Sequence, residues 1–335
     1  MPKEAVLITG AAGEIGQALV EQLAGGQHTL VTLDIQELPP ELSGHSTHVK
    51  GSIVEKEVIA FLQDEFEFRR IYHLAALLST KAEHMPTLAY EVNVGGSLLL
   101  LELAAKQSWL GGQPVKFIFP SSKAIYGMPD LQTKAANPRA GEDEWNQPAT
   151  MYGCNKLAVE HLGAYYAQRY LQLAEEKRTR LDFRALRFPG LISAHTLPTG
   201  GTSDYGPEML HAAAKGEPYA CFVRPDTTIA FMAMPDAVKA LLSLAAAPAA
   251  ALKRSAYNVS SFSVSAEQFR QQVLKSFPQA RINFAPDAKR QGIVDTWPMD
   301  IDDTAARRDW SWFPDFDLGR CFDDYLVPII RKRYQ

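Results

Sequence analysis

Three glycines, Gly10, Gly13 and Gly16, constrain this chain more than any other feature. They follow a short apolar run at 5–9 and open the helical spacing of 15–23. Glycine permits a tight turn and lets another group approach the backbone closely. A helix that begins there offers free N–H groups and the positive end of its dipole, which together suit a pyrophosphate. The full run is Gly10-Ala11-Ala12-Gly13-Glu14-Ile15-Gly16. A glycine-rich turn without a ligand is the bland alternative, and the strand–loop–helix context outweighs it.

The rest of the first half alternates. Apolar runs at 5–9, 29–33, 49–53, 71–75, 115–119 and 182–188 predict strands, and the segments 15–23, 54–66, 88–107 and 151–169 between them predict helices. This rhythm predicts an α/β fold: a doubly wound parallel sheet of Rossmann type with helices on both faces. After Phe188-Pro189-Gly190 the segments shorten and prolines become more frequent. Helices are expected at 205–215, 236–246, 266–276 and 318–333, and short strands at 219–223, 257–259 and 282–284. Residues 1–188 are therefore assigned to a dinucleotide-binding domain, with 230–260 returning to it. Residues 189–335 are assigned mainly to a smaller C-terminal α/β substrate-binding lobe.

Composition narrows the class. The chain has 335 residues, 46% hydrophobic and 21% charged, as in a soluble globular protein. A net charge of −4 argues against a nucleic-acid partner. Cys154, Cys221 and Cys321 are too widely spaced for a disulfide framework or a metal site, and the eight histidines show no metal-ligand spacing. With no visible targeting segment, a cytoplasmic location is expected. The apolar run 98–101 soon meets Glu102, which predicts no membrane span.

Asp34 ends the second predicted strand, 18 residues beyond Gly16. A carboxylate there accepts hydrogen bonds from ribose hydroxyls and repels a 2′-phosphate, which predicts NAD over NADP. Ser121 ends the fifth strand, on the edge that faces the ligand crevice of such sheets. Tyr152 and Lys156, four residues apart, share one helix face. A lysine cation beside a tyrosine favours the phenolate and lowers its pKa. The expected chemistry is proton removal from an alcohol by Tyr152, with Lys156 supporting, Ser121 orienting the alcohol, and hydride passing to the nicotinamide. His73, alone at a strand end, reads as structural.

These motifs, with His73-Leu74-Ala75-Ala76 and Asn93, resemble the extended short-chain dehydrogenases of the epimerase/dehydratase group. Gly-x-x-Gly-x-x-Gly is the spacing of that superfamily. The later runs Leu77-Leu78-Ser79, Leu186-Arg187-Phe188-Pro189-Gly190, Pro198-Thr199-Gly200-Gly201-Thr202-Ser203-Asp204-Tyr205, Met234-Pro235-Asp236-Ala237, Tyr257-Asn258-Val259 and Thr296-Trp297-Pro298 look like the short-chain type of L-threonine 3-dehydrogenase.

Carried over by position, this resemblance implies NAD contacts at Gly10, Gly13, Glu14, Ile15, Gly16, Asp34, Ser52, Ile53, Leu74, Ala75, Ala76, Asn93, Tyr152, Lys156 and Pro189. It implies substrate contacts at Ser79, Ser122, Thr202, Asp204 and Trp297 beside the catalytic Ser121, Tyr152 and Lys156. The implied reaction converts L-threonine and NAD to 2-amino-3-oxobutyrate and NADH. The product loses CO2 or is cleaved to glycine by a partner CoA ligase. A homodimer is expected through the helices at 88–107 and 151–169.

Three departures stand out: Ser52 where the family often has an aspartate, Ser122-Lys123 after Ser121, and a long polar stretch at 130–147. The rivals are a sugar-nucleotide epimerase or dehydratase, a dehydrogenase of another small hydroxy acid, and a non-catalytic NAD-binding protein. The epimerase reading is disfavoured because Ile229 stands where such enzymes carry a phosphate-binding arginine.

Overall fold

The computed structural model describes residues 2–175, 179–198 and 200–335. The chain divides into two units. The first comprises Met1–Ser121, Cys154–Leu186 and Leu241–Ala256, and the second Ser122–Gly153, Arg187–Ala240 and Tyr257–Gln335. Residues 122–153, expected in the first domain, thus belong to the second unit, and only the later part of 230–260 rejoins the first.

The first unit is built on the strands β1 (Lys3–Thr9), β2 (Thr29–Asp34), β3 (Thr47–Lys50), β4 (Phe66–His73) and β5 (Val115–Ser122), followed by Leu181–Phe188 and Ala256–Asn258. Their order across the sheet is β3, β2, β1, β4, β5, Leu181–Phe188, Ala256–Asn258. The β1–β2, β2–β3, β1–β4 and β4–β5 pairs are all parallel. Chain order runs outward in both directions from β1, so the sheet's topological switch lies beside its carboxyl end. That end carries Gly10.

Ala5 to Thr9 are buried without interruption, as a strand covered on both faces requires. Leu7, Val31, Ile71, Phe117 and Phe183 form the core. The helix Met151–Gln168 seats on the sheet at Gly163, where a Cβ would fall 2.2 Å from the Phe183 ring. The helical run Pro86–Leu110 is 25 residues long and apolar enough to cross a membrane, longer than the expected span at 88–107. Leu100, Leu101, Leu103, Ala104 and Ala105 are buried in the core, so its hydrophobicity is that of an internal helix.

The second unit uses small sheets. Thr228–Ala233 pairs antiparallel with Phe262–Ser265 and parallel with Gly190–Ile192. Tyr219–Cys221 pairs with Ile282–Phe284, and Arg139–Ala140 with Asp300–Ile301. The helix Ala266–Ser276 starts at a capping box, in which Ser265 and Gln268 satisfy each other's backbone N–H groups.

Candidate active site

The glycine loop is shaped by contacts that only glycine allows. Gly10 has φ +69°, and a Cβ there would lie 2.6 Å from the Ala75 nitrogen. At Gly16 a Cβ would lie 2.4 Å from the Gly10 carbonyl oxygen. Helix α1 (Glu14–Leu23) starts here with Gly13 as its N-cap and no side chain capping it. Gly13 places no side chain over the first turn, which suits a phosphate at this helix N-terminus. Glu14 and Ile15 sit in that first turn.

Asp34 is tied to the same loop. Its carboxylate accepts from the Ala12 N–H at 2.9 Å and from the Gln36 N–H at 2.9 Å. A carboxylate held beside the glycine loop suits ribose hydroxyls and opposes an added phosphate. These features fit a dinucleotide.

A polar chain fixes the neighbouring strand ends. The Thr9 hydroxyl pairs with His73 Nδ1 at 2.8 Å, and His73 Nε2 with the Ser97 hydroxyl at 2.7 Å. The Ala75 N–H donates to Thr9 Oγ1 at 3.3 Å, which anchors Leu74-Ala75-Ala76 beside the glycines. Burial, with a smaller push from Lys156, lowers the His73 pKa to about 3. His73 is therefore a neutral structural group, as its position suggested.

Asn93 lies in a π-helical turn, Glu91–Gly96, and its side chain is committed to protein. The Leu77 N–H donates to its Oδ1 at 2.7 Å, while its Nδ2 donates to the Leu77 carbonyl at 3.0 Å and to Asn155 at 3.2 Å. Asn93 thus positions the loop before Ser79, which begins the short helix Ser79–His84. Ile53 is buried against Gly96, where a Cβ would lie 2.5 Å from its Cδ1. The Ser52 hydroxyl meets the Val54 N–H at 3.5 Å.

Ser121 ends β5, is buried, and its hydroxyl has no hydrogen-bond partner among the described residues. A buried hydroxyl without a partner is costly, and it marks a place where a ligand oxygen would be welcome. Ser122 differs: its oxygen accepts from the Ala124 N–H at 3.1 Å and caps a short turn.

Tyr152 and Lys156 lie in the first turns of Met151–Gln168. Lys156 is buried, donates to the Pro120 carbonyl at 2.7 Å, and stands 4.4 Å from the Phe119 ring centre. Burial lowers its pKa to about 7, with Glu160 opposing. Tyr152 departs from expectation, because burial raises its pKa instead of lowering it. Sequence shows the lysine charge but not the loss of water around the phenol, and the second effect is the larger.

In the second unit, Thr202 and Pro189 are buried. Asp204 folds the preceding loop by accepting from the Gly201 N–H at 2.7 Å. Thr199 of that motif lies outside the described residues. Trp297 is buried, and its indole N–H has no partner among the described residues. The residue that sequence reasoning missed is Lys123, buried beside Trp297. The one available signal was its unexpected place after Ser121-Ser122. No cluster of three or more histidine, cysteine, aspartate or glutamate side chains able to hold a metal exists among the described residues.

The Rossmann sheet, its glycine turn and the Asp34 anchor define an NAD-dependent α/β enzyme. The NAD dependent epimerase/dehydratase family matches residues 6–260, and the chain belongs to it. A mitochondrial L-threonine 3-dehydrogenase of Bos taurus is 33% identical over 94% of this chain and 80% of its own length. An uncharacterized epimerase/dehydratase of Staphylococcus haemolyticus is 34% identical over 98% of each. Among solved structures, a monomeric L-threonine 3-dehydrogenase from a metagenome is similar with TM-score 0.85 and 33% identity, covering 98% of this chain and 100% of its own. An L-threonine dehydrogenase of Phytophthora infestans follows at TM-score 0.83 and 34% identity, covering 97% and 99%.

Proposed function

We propose that this protein oxidises the C3 hydroxyl of L-threonine to 2-amino-3-oxobutyrate. What carries the reading is likeness to threonine dehydrogenases over nearly the whole chain, at 33% identity to the bovine protein and 34% to the Phytophthora one. The second unit, which decides the substrate, is included in that likeness. In this reading Tyr152 takes the hydroxyl proton as the C3–H hydride departs, and the Ser121 hydroxyl holds the substrate oxygen. Lys156 supplies the positive charge that the phenolate needs. Bound NAD supplies the hydride acceptor at C4 of its nicotinamide. Gly10, Gly13 and Gly16 take its pyrophosphate and Asp34 its adenosine ribose, with Leu74, Ala75, Ala76 and Pro189 alongside. Ser79, Thr202 and Trp297 are assigned to the substrate, and Ser122, with one lone pair taken by the Ala124 N–H, keeps its O–H donor for that purpose.

The test is NADH formation at 340 nm with L-threonine, its stereoisomers and small hydroxy acids. Turnover confined to L-threonine supports the reading. Turnover of another hydroxy acid replaces the substrate and keeps the mechanism. Tyr152→Phe should lose about 1,000-fold in kcat while keeping NAD affinity. Near-normal turnover in that variant removes Tyr152 from its role.

The epimerase reading remains the second one for a specific reason. Ile229 removes the expected cation, but Lys123 donates to the carbonyl of the adjacent Ala230 at 3.3 Å and returns a positive charge to this strand. Chromatography of UDP-glucose incubated with the protein and NAD decides it, because an epimerase or dehydratase returns the hydride and leaves no net NADH. A homodimer and supply of a CoA ligase belong to the same proposal. The metagenome relative is described as monomeric, so light scattering at micromolar concentration is the direct check.

A further inference from the structure

Lys123 is 3% exposed and sits in the short turn Lys123–Ile125 that follows β5. An ammonium has three N–H donors. The acceptor found for it is the Ala230 carbonyl at 3.3 Å. Otherwise it faces aromatic rings, with the Trp297 centre at 4.9 Å and the Phe231 centre at 5.5 Å. Among the described residues no carboxylate lies within ion-pair distance of it.

The other buried cations of the second unit are provided for. Lys134 donates to the Val294 carbonyl at 3.1 Å and has the charge of Asp295 nearby. Arg187 donates to Tyr126, whose hydroxyl also bonds Asn258, and Asn258 in turn donates its N–H to the Glu142 carboxylate. Lys123 instead feels Lys134, a second cation, and burial together with that repulsion drives its pKa well down. Without a counterion the buried amine is pushed toward its neutral form, and an anion placed beside it would favour the ammonium again.

A further observation points to what completes the arrangement. The Trp297 indole N–H, on the ring beside the ammonium, is a buried donor without an acceptor among the described residues. Gly190 lets the Phe231 ring pack on bare backbone next to the same group, since a Cβ there would fall 2.8 Å from that ring and 3.4 Å from Nζ. One cation and one N–H match the two oxygens of a single carboxylate. A diphosphate would bring more oxygens and charge than these donors satisfy.

We propose that the Lys123 ammonium and the Trp297 indole N–H form the seat for the substrate's carboxylate, making Lys123 a specificity-determining residue. This rests on the dehydrogenase reading for its substrate, and it adds the group by which that substrate is chosen.

The experiment compares L-threonine with L-threoninamide, which lacks the negative charge, in wild type, Lys123→Met and Lys123→Arg. Wild type should favour the acid by about 100-fold in kcat/KM. Lys123→Met should lose about 100-fold on the acid, mostly in KM, and less than threefold on the amide. Lys123→Arg should recover part of the preference. Equal losses on acid and amide, or none on the acid, overturn the proposal. NAD affinity and melting temperature of each variant separate a folding defect from a lost contact. If wild type turns over neither compound, thermal shifts with NAD and a set of small carboxylates and their amides read the seat alone. A carboxylate-only shift that vanishes in Lys123→Met supports it even though the threonine reading has failed. Equal shifts from acids and amides, no shift at all, or a UDP-glucose shift abolished in Lys123→Met overturn it.

Discussion

The two units bury their polar groups in different ways. In the first, the sheet's own ladder satisfies the strands' backbone and a large apolar cluster packs between helices and strands, with Lys156, Glu160 and Arg184 as buried charged side chains beside it. Its buried relay is uncharged, running from Thr9 through His73 to Ser97. The second unit has ladders of only two or three strands, and it buries Lys123, Lys134, Glu142, Arg187, Asp236 and Asp303. Side chains there do what a ladder does elsewhere. Asp236 accepts from the N–H groups of Asp315 and Phe316 at 2.8 and 3.1 Å. Asn258 donates to the carbonyls of Ala140 and Asp302, both at 3.1 Å. Buried backbone groups must be paired somewhere, and loops without sheet partners recruit side chains for the purpose.

The largest expected effect follows from that dependence. Arg187→Met removes the buried cation that donates to the Glu142 carbonyl at 2.6 Å and to Tyr126 at 3.1 Å. The cost should be about 4 kcal/mol, because the partners stay buried without it. Urea unfolding with proteolysis should show the second unit opening first. Unfolding confined to the first unit would show that the contrast between the two is misplaced. Gly16→Ala probes the other side at about 3 kcal/mol, since its Cβ meets backbone that must shift. The same variant should lose NAD binding. Normal NAD affinity there would free the glycine loop from its assigned task.

The contrast also explains what the sequence disclosed. β1, β2 and β5 were legible as apolar runs with sharp ends, whereas β3 lies at Thr47–Lys50 and not at 49–53, and β4 begins at Phe66, well before the expected 71–75, because its first half carries charged residues. The helices Tyr205–Lys215 and Ala266–Ser276 were legible to the residue, and the structure adds the Ser265–Gln268 cap that starts the second. Thr228–Ala233 and Phe262–Ser265 escaped: the first runs straight into the apolar helix Met234–Ala246 with no turn residue between them, and the second is only four residues long. Of the candidate site, the glycine turn, Asp34 at the end of β2, Ser121 near the end of β5 and the common helix of Tyr152 and Lys156 lie where motif and context together predicted them. The paired hydrogen bonds between Asn93 and Leu77, one accepted and one donated by the side chain, the capping by Ser122 and the burial of Lys123 depend on tertiary packing, which residue type does not encode. A lysine is read as a surface residue until its surroundings are known.

His73 gives a pH test of the first unit's neutral relay. Its folded pKa of about 3 lies below the unfolded value near 6.5, so only the unfolded chain takes up this proton in between. The stability contribution is complete above pH 6.5 and falls as pH drops toward 3, by up to ~1.4 kcal/mol per pH unit. Replacement by glutamine should remove that part of the acid sensitivity in melting temperatures measured from pH 7 to 4. An unchanged pH profile would place the acid-labile group elsewhere, with the second unit's buried charges as the first place to look.

The smallest effect concerns coenzyme choice. Asp34 has both oxygens engaged by the N–H groups of Ala12 and Gln36, so its position is fixed before any ribose arrives. Fixed negative charge repels a 2′-phosphate without a rearrangement that could relieve it. Asp34→Ser removes the charge and keeps a short oxygen acceptor. The NAD-to-NADP preference in kcat/KM should fall about tenfold, equal to ~1.4 kcal/mol. A shift of that size with the melting temperature held would show that the charge selects the coenzyme. An unchanged preference together with a lower melting temperature would show that Asp34 serves chiefly to tie the loop of Ala12 to the end of β2, and that coenzyme choice resides in other residues of the first unit.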